Sequence, residues 1–343
     1  MNSYPYQKIA VTLVSDLPDR TRDIVSRRFG LEQGDPETLE AIGQAHGVTR
    51  ERVRQIVEDG LAQIKERVAA ERDRARLEPM FRMVDETLKN TGHVKRQDLL
   101  VEELHPKNDQ NHIVFLLHLH DQLYKQKETE HTHAFWVNKK ELWEESPRLL
   151  EDLVGHFEQR KNPATLEELL DEYGTMNAKT FASLLEVSKH ILQGYNGKWG
   201  LRRWPEIYPK GVRDKAYVVL RDTAKPLHFV EVAQLIEKLQ DALTDQRKRN
   251  ILPQTVHNEL IKDPRFVLVG RGTYGLAEWG YTPGTVKDVL LQILQEAGKA
   301  LAKEDLVQKT LAQRQVKEST ILLNLQDRTC FMRDDNGFYC LPK

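Results

Sequence analysis

The chain has 343 residues, a formal net charge of −1, and 30% charged against 39% hydrophobic residues. A near-neutral total argues against indiscriminate coating of nucleic acid, so any DNA contact must be local and patch-based. Two cysteines, Cys330 and Cys340, exclude a disulfide framework, and so polar a composition suits several small modules rather than one deep core.

The first apolar stretch, residues 9–14, is too short for a signal peptide or a membrane helix. A soluble, reduced protein of the bacterial cytoplasm, associated with the nucleoid and without membrane contact, is expected. Residues 38–56 then read as a helix-turn-helix. Thr38 suits an N-cap, with Leu39 and Ile42 turned inward. Gly47 supplies a turn where positive φ is cheap only without a Cβ. Thr49 caps a second helix on which Val53, Ile56, Val57 and Leu61 form one buried stripe. Arg50, Glu51, Arg54 and Gln55 share another face as two i,i+4 pairs. Those residue types suit a major groove: arginine reads guanine, glutamine reads adenine, and glutamate accepts from cytosine.

Residues 17–65 resemble region 4 of the sigma-70 family. The resemblance rests on Leu17-Pro18, Arg28-Phe29-Gly30 and Thr49-Arg-Glu-Arg-Val-Arg-Gln-Ile56. It implies docking on a promoter-like hexamer of the minus-35 kind, with Arg50, Glu51, Arg54 and Gln55 facing bases or nearby backbone. It also implies that Arg28, Thr38 and Leu39 sit on phosphates; Arg52 is assigned to phosphate as well. Two departures matter. The family usually continues Ile-Glu-x-Lys-Ala-Leu, whereas this chain has Val57-Glu58-Asp59-Gly60-Leu61, so Asp59 costs one phosphate contact. Regions 2 and 3 have no counterpart, so strand opening and the main polymerase clamp contact are not expected. Residues 65–76, dense in Arg, Glu, Asp and Ala, read as a solvent-exposed continuation of the recognition helix up to about Pro79. Such a spacer would hold modules roughly 40 Å apart; a disordered charged linker is the alternative.

The remainder is an internal repeat. Thr255, Leu260, Phe266, Tyr274 and Leu276 recur 65 positions later as Thr320, Leu325, Phe331, Tyr339 and Leu341, and 75 positions earlier as Thr180, Leu185, Ile191, Trp199 and Leu201. Upstream, Lys225-Pro-Leu227 matches Asn162-Pro-Ala164, Lys299-Ala-Leu301 and, more weakly, Gly92-His-Val94. Each copy runs helix, helix, helix, strand, turn, strand, the order of a winged helix. The fold class is therefore mainly α: a helix-turn-helix domain with its charged linker over 1–76, then tandem winged helices over 77–139, 140–208, 209–281 and 282–343.

The third copy resembles the HARE-HTH domain, as at the N-terminus of the polymerase delta subunit, through Lys225-Pro-Leu-His-Phe229, Pro264-Arg-Phe266 and Gly272-Thr-Tyr-Gly-Leu-Ala-Glu-Trp279. That resemblance implies a nucleic-acid context and no particular chemistry. In the first copy the third helix is apolar nearly all round over residues 112–119, which suits packing on protein rather than reading DNA. The third copy is preceded by Gln246-Arg-Lys-Arg-Asn250, where Arg247, Lys248 and Arg249 suit phosphate, a solvated loop being the alternative. Trp199, Tyr274 and Tyr339 recur at one hairpin position and are expected to seat each wing on its own core.

No catalytic residue, cofactor or metal is expected. Gly270-Arg-Gly-Thr-Tyr-Gly275 matches a dinucleotide pattern but is followed by a strand where that site needs a helix. His118, His120, His131 and His133 lack the spacing of a zinc site. The function expected is a multi-module, sequence-specific double-stranded DNA-binding protein, a transcription regulator. The first alternative is an interaction factor that grips RNA polymerase core through the region 4-like module. The second, by analogy alone, is an accessory or specificity subunit of a restriction or phage-defence system. Self-association through the winged helices is a further expected contact.

Overall fold

Two short polar caps and two left-handed glycines, Gly30 and Gly47, shape the amino end. Helices α1 (Tyr6–Ser15), α2 (Asp19–Phe29), α3 (Leu39–His46) and α4 (Arg50–Ala69) follow one another. Thr38 Oγ1 accepts from the Ala41 amide at 3.2 Å and Thr49 Oγ1 from the Arg52 amide at 3.2 Å, each satisfying a first-turn donor. Between them Gly47 ends α3 at φ 64°. Ile24, Ile42, Val53 and Val57 are buried together, with Leu39, Ile56 and Leu61 partly covered around them. Gly60 lets α4 lie close on α2: a Cβ there would sit 2.9 Å from the Thr21 methyl. In the computed structural model the described residues are 4–342, except 33, 71, 105–108, 174–175, 244–249 and 335–336. They are predominantly helical, with small antiparallel sheets. They divide into two compact units, 1–202 and 203–343.

The spacer expected at 65–79 does not exist as one helix. Helix α4 ends at Ala69 and α5 (Arg74–Asn90) starts afresh. In an unbroken helix of 3.6 residues per turn, Leu77 would lie half a turn out of phase with Val68. The break lets both be buried, and Leu77, Met80, Val84 and Leu88 form the buried stripe of α5. Arg67 spans the joint, 2.8 Å from Asp16 and 4.0 Å from the buried Asp73. Modules expected some 40 Å apart instead share a core.

That core joins Tyr6, Leu13, Leu31, Ile64 and Val68 to Leu77, Met80, Phe115, Leu116 and Trp136. The second half comes from α5, β1 (Val94–Arg96), α6 (Gln97–Leu104), α7 (Gln110–Leu117), β2 (Tyr124–Gln126) and β3 (Phe135–Val137), with sheet order β1-β3-β2. Helix α7 is the apolar third helix of the first winged helix, and it packs on α1 and α2. Its polar groups are used there too: His112 Nε2 lies 3.0 Å from the Leu31 carbonyl.

The next copy consists of α8 (Lys140–Arg160), α9 (Leu166–Tyr173), α10 (Ala178–Val187), β4 (Ile191–Gln193) and β5 (Trp199–Leu201). Its third helix, α10, is likewise spent on packing, here against β1. Ser183 Oγ donates to the Thr91 carbonyl at 2.7 Å. Gly92, at φ +76°, has no room for a side chain: a Cβ would lie 2.2 Å from the Thr180 nitrogen.

In the second unit, α11 (Val212–Thr223), β6 (Leu227–His228), α12 (Phe229–Ala242), α13 (Pro253–Lys262), β7 (Phe266–Gly270) and β8 (Thr273–Leu276) form one copy. The Gly270–Gly275 stretch holds the end of β7, a two-residue turn at Arg271-Gly272 and the start of the antiparallel β8, as a wing requires. The last copy is α14 (Val286–Ala297), α15 (Lys303–Gln313), α16 (Glu318–Leu325), β9 (Met332–Arg333) and β10 (Tyr339–Cys340). It joins β7 through the Gln315 amide, which donates to the Val269 carbonyl at 2.8 Å, and through buried Arg314, whose Nη1 donates to the Leu268 carbonyl.

The repeat positions meet in space. Val94 pairs with Val137, Ala164 with Trp199, Leu227 with Tyr274 and Leu301 with Tyr339. Each copy thus closes its second-helix entrance against the returning strand of its hairpin. Trp199 and Tyr274 are buried there, and Tyr339 is half-buried.

Candidate nucleic-acid interface

The first two turns of α4 carry the residues expected to read bases, and the surrounding packing leaves them open. Arg50, Glu51, Arg52 and Gln55 are exposed and Arg54 is half-exposed, while Val53 on the opposite face is fully buried. The four expected readers lie on the open side of α4, and the ion pair among them is the i,i+3 pair of Glu51 and Arg54. Arg54 forks onto Glu51, with Nε 2.9 Å from Oε2, and also holds Glu58. Arg52 Nη1 donates to Gln55 Oε1 at 3.1 Å. Arg54 holds the Glu51 carboxyl below the usual carboxylate range, and the two carboxylates raise the guanidinium further above its ordinary value. Glu58 was not among the expected site residues; its one-turn spacing from Arg54 was the available signal.

Arg50, Glu51, Arg54 and Glu58 face a cleft of about 760 Å³, whose other walls are Arg28, Leu39, Gln97, Asn111, His118, Lys125 and Lys127. Gln55 is not among the residues lining it. Arg28 donates through Nη1 to the Glu37 carbonyl at 2.7 Å, which aims its guanidinium. Thr38 is exposed but its oxygen serves as the α3 cap. Leu39 offers only its first-turn amide, a donor without an intrahelical partner. Arg247, Lys248 and Arg249 lie outside the described residues.

The far wall belongs to the first winged helix, and the sequence reading missed it. Lys125 and Lys127 sit two positions apart on and just beyond β2, so both project to one side. Trp143 Nε1 donates to the Lys125 carbonyl at 3.3 Å and Gln126 Nε2 to the Trp143 carbonyl at 2.9 Å, which pins the strand from behind. Burial, Arg28 and Lys127 push the Lys125 ammonium down to about 8. His118 is wedged between Phe29 and Trp136, ring centroids 5.2 and 5.0 Å away. Burial first, then Lys125, lowers it to about 4, so it stays neutral.

The four histidines considered for zinc are dispersed in use. His118 bonds the Val114 carbonyl, His120 faces Asp85, and His131 contacts His190 at 2.9 Å. Among the described residues no group of three potential ligands converges. Cys330 and Cys340 are free thiols. No described helix is long and apolar enough to cross a membrane.

Residues 13–66 match the family model described as Sigma-70, region 4. This segment is a Sigma-70 region 4 domain. It begins inside α1 and ends three residues before the end of α4. Within it the chain is 45% identical over 53 residues to the RNA polymerase principal sigma factor HrdD of Streptomyces griseus, covering 16% of each chain. It is 50% identical over 52 residues to the RNA polymerase sigma factor RpoS of Coxiella burnetii, covering 15% of each. The matched stretch thus spans about a sixth of these relatives' length, and it contains α2, α3 and the exposed start of α4.

Proposed function

We propose that this protein is a sequence-specific double-stranded DNA-binding transcription regulator whose region 4 domain reads a minus-35-like element. One observation carries the reading. Helix α4 is packed on α2 and α3, yet the turns holding Arg50, Glu51 and Gln55 stay open to solvent. Arg50, Glu51, Arg54 and Gln55 contact bases, and Arg28, Arg52, Thr38 and the Leu39 amide hold phosphates. Arg247, Lys248 and Arg249 add phosphate contacts from the third winged helix, which we take as HARE-HTH-like. The exposed polar face of its α13, with Gln254, Thr255 and Asn258, suits that role. Linked weak modules raise effective concentration, so several modest contacts yield one tight complex. The protein works in the bacterial cytoplasm at the nucleoid. Selection of bound fragments from random duplexes tests this: enrichment of a minus-35-like hexamer is expected, and no enrichment overturns base reading by α4.

A second reading is favoured by a specific observation. Helices α7 and α10, the third helices of two winged helices, spend most of their side chains on packing. On this reading the region 4 domain grips RNA polymerase and the winged helices brace it or pair with a second copy. Capture of polymerase core by the full chain from nuclease-treated lysate, without duplex selectivity, would replace the first reading with this one. A role beside a restriction or phage-defence enzyme rests on analogy alone.

A further inference from the structure

The cleft beside α4 has more positive charge than the fold needs. Its lining carries five cations (Arg28, Arg50, Arg54, Lys125 and Lys127) against two carboxylates (Glu51 and Glu58), a net of three positive charges in a chain whose total is −1. Arg54 alone takes both carboxylates. Among the described residues no carboxylate lies within salt-bridge distance of Arg28, Arg50, Lys125 or Lys127. Lys125 is half-buried, with its ammonium 5.3 Å from the Trp136 ring centroid, an apolar seat that gives weak compensation. Holding unpaired cations together in a partly desolvated cleft costs free energy unless an anion enters.

We propose that strand β2 of the first winged helix is a phosphate clamp, in which Lys125 and Lys127 grip the backbone of the same duplex whose bases face α4. This rests on the reading of α4 as the base-contacting helix and extends it to a second module. Several features favour a duplex over an acidic peptide. The amino-terminal end of α4, where the Thr49 cap takes the Arg52 amide and leaves those of Arg50 and Glu51, opens onto the same cleft. The two lysines alternate along one extended strand, about 6.6 Å apart in rise, which suits a linear array of charges. The shared core fixes the first winged helix relative to α4, so the two walls form one preorganised site. The role of the first winged helix is thus split: α7 packs on protein while β2 faces nucleic acid.

The test uses the full chain and the duplex obtained by selection, with affinity measured between 50 and 200 mM salt. Each phosphate contact contributes about 0.9 to the slope of log K against log salt, so Lys125→Ala/Lys127→Ala should lower that slope by about 1.8. Over this range the double variant should lose roughly twelvefold less affinity than the parent, with unchanged base preference. Lys127→Ala alone changes an exposed side chain and should lower the slope by about 0.9, which guards against misfolding at Lys125. Arg54→Ala is run in parallel. If it alters base preference while both lysine variants keep the parental slope, the clamp is overturned and base reading by α4 stands. If the parent shows no duplex preference and Arg54→Ala changes nothing, both fail together. Loss of polymerase capture in the lysine variants, with the DNA salt slope intact, would assign the cleft to an acidic protein surface and overturn the clamp.

Discussion

Arg54→Ala separates base reading from mere charge, and the structure sets the size of each effect. The side chain is 43% exposed and paired to Glu51 and Glu58 on one helix face. Exposed pairs of this kind are worth about 0.3–0.5 kcal/mol each, and alanine recovers a few tenths through helix propensity. Folding stability should therefore change by less than about 1 kcal/mol, and lost binding cannot be blamed on unfolding. A bidentate arginine–guanine contact discriminates by about 1–3 kcal/mol. Because Arg54 must leave at least one carboxylate to reach a base, the lower part of that range applies, about 1–2 kcal/mol. That corresponds to a loss of roughly five- to thirtyfold on the selected duplex. On a scrambled duplex at the same salt the loss should be at most about twofold, one charge among several. Fluorescence anisotropy titrations of both duplexes, with melting curves of parent and variant, make the comparison. Equal losses on the two duplexes would reduce Arg54 to a phosphate contact, and no loss on either would remove it from the interface.

The packing makes further predictions. Gly92→Ala should destabilise the first unit by about 3 kcal/mol or more, because left-handed strain of about 1–2 kcal/mol adds to a clash with the α10 backbone. Gly197→Ala has nearly the same φ, +76°, but open space around its Cβ, so it should cost only about 1–2 kcal/mol; urea unfolding that cannot tell the two apart would contradict the α10–β1 contact. Phe115→Ala empties a fully buried site in the shared core and should cost about 3–5 kcal/mol. Hydrogen exchange should then loosen residues 6–14 together with 110–137, and protection lost in only one segment would mean two independent cores. Lys125 has a folded pKa lowered to about 8, with Arg28, Lys127 and neutral His118 facing it. Between about 8 and its ordinary value the unfolded chain binds more protons than the folded one, so this lysine's contribution to stability rises with pH there. Duplex binding has the opposite trend, weakening above pH 8 as the charge is lost. Lys125→Arg should abolish that weakening, and a pH profile identical to the parent's would exclude Lys125 as its source.

Much of the amino-terminal site was legible because its information is local. Caps at Thr38 and Thr49 act within three residues, Gly47 needs only its own φ, and the buried positions of α4 recur with the helix period. The repeat was legible for a related reason: one supersecondary unit written four times shows which positions must meet. The structure pairs Ala164 with Trp199, Leu227 with Tyr274 and Leu301 with Tyr339. The apolar girth of residues 112–119 announced a helix covered on two sides, though not what would cover it.

Local pattern alone determined the helix-turn-helix and the residues exposed at the start of α4; strands β1 and β6, each between the first and second helices of a copy, were not expected. Only the tertiary structure decided that residues 65–79 are broken, that α7 and α10 are consumed by neighbouring modules, and that Lys125 and Lys127 stand across a cleft from Arg50 and Arg54. A charged stretch such as 65–76 suits an exposed helix equally well straight or broken. The choice falls to apolar positions on either side, Val68 and Leu77, whose burial in one core cannot be read from either flank separately. The cleft follows the same logic: its two walls are about seventy residues apart in sequence, and their charges become a site only once a shared core brings them face to face.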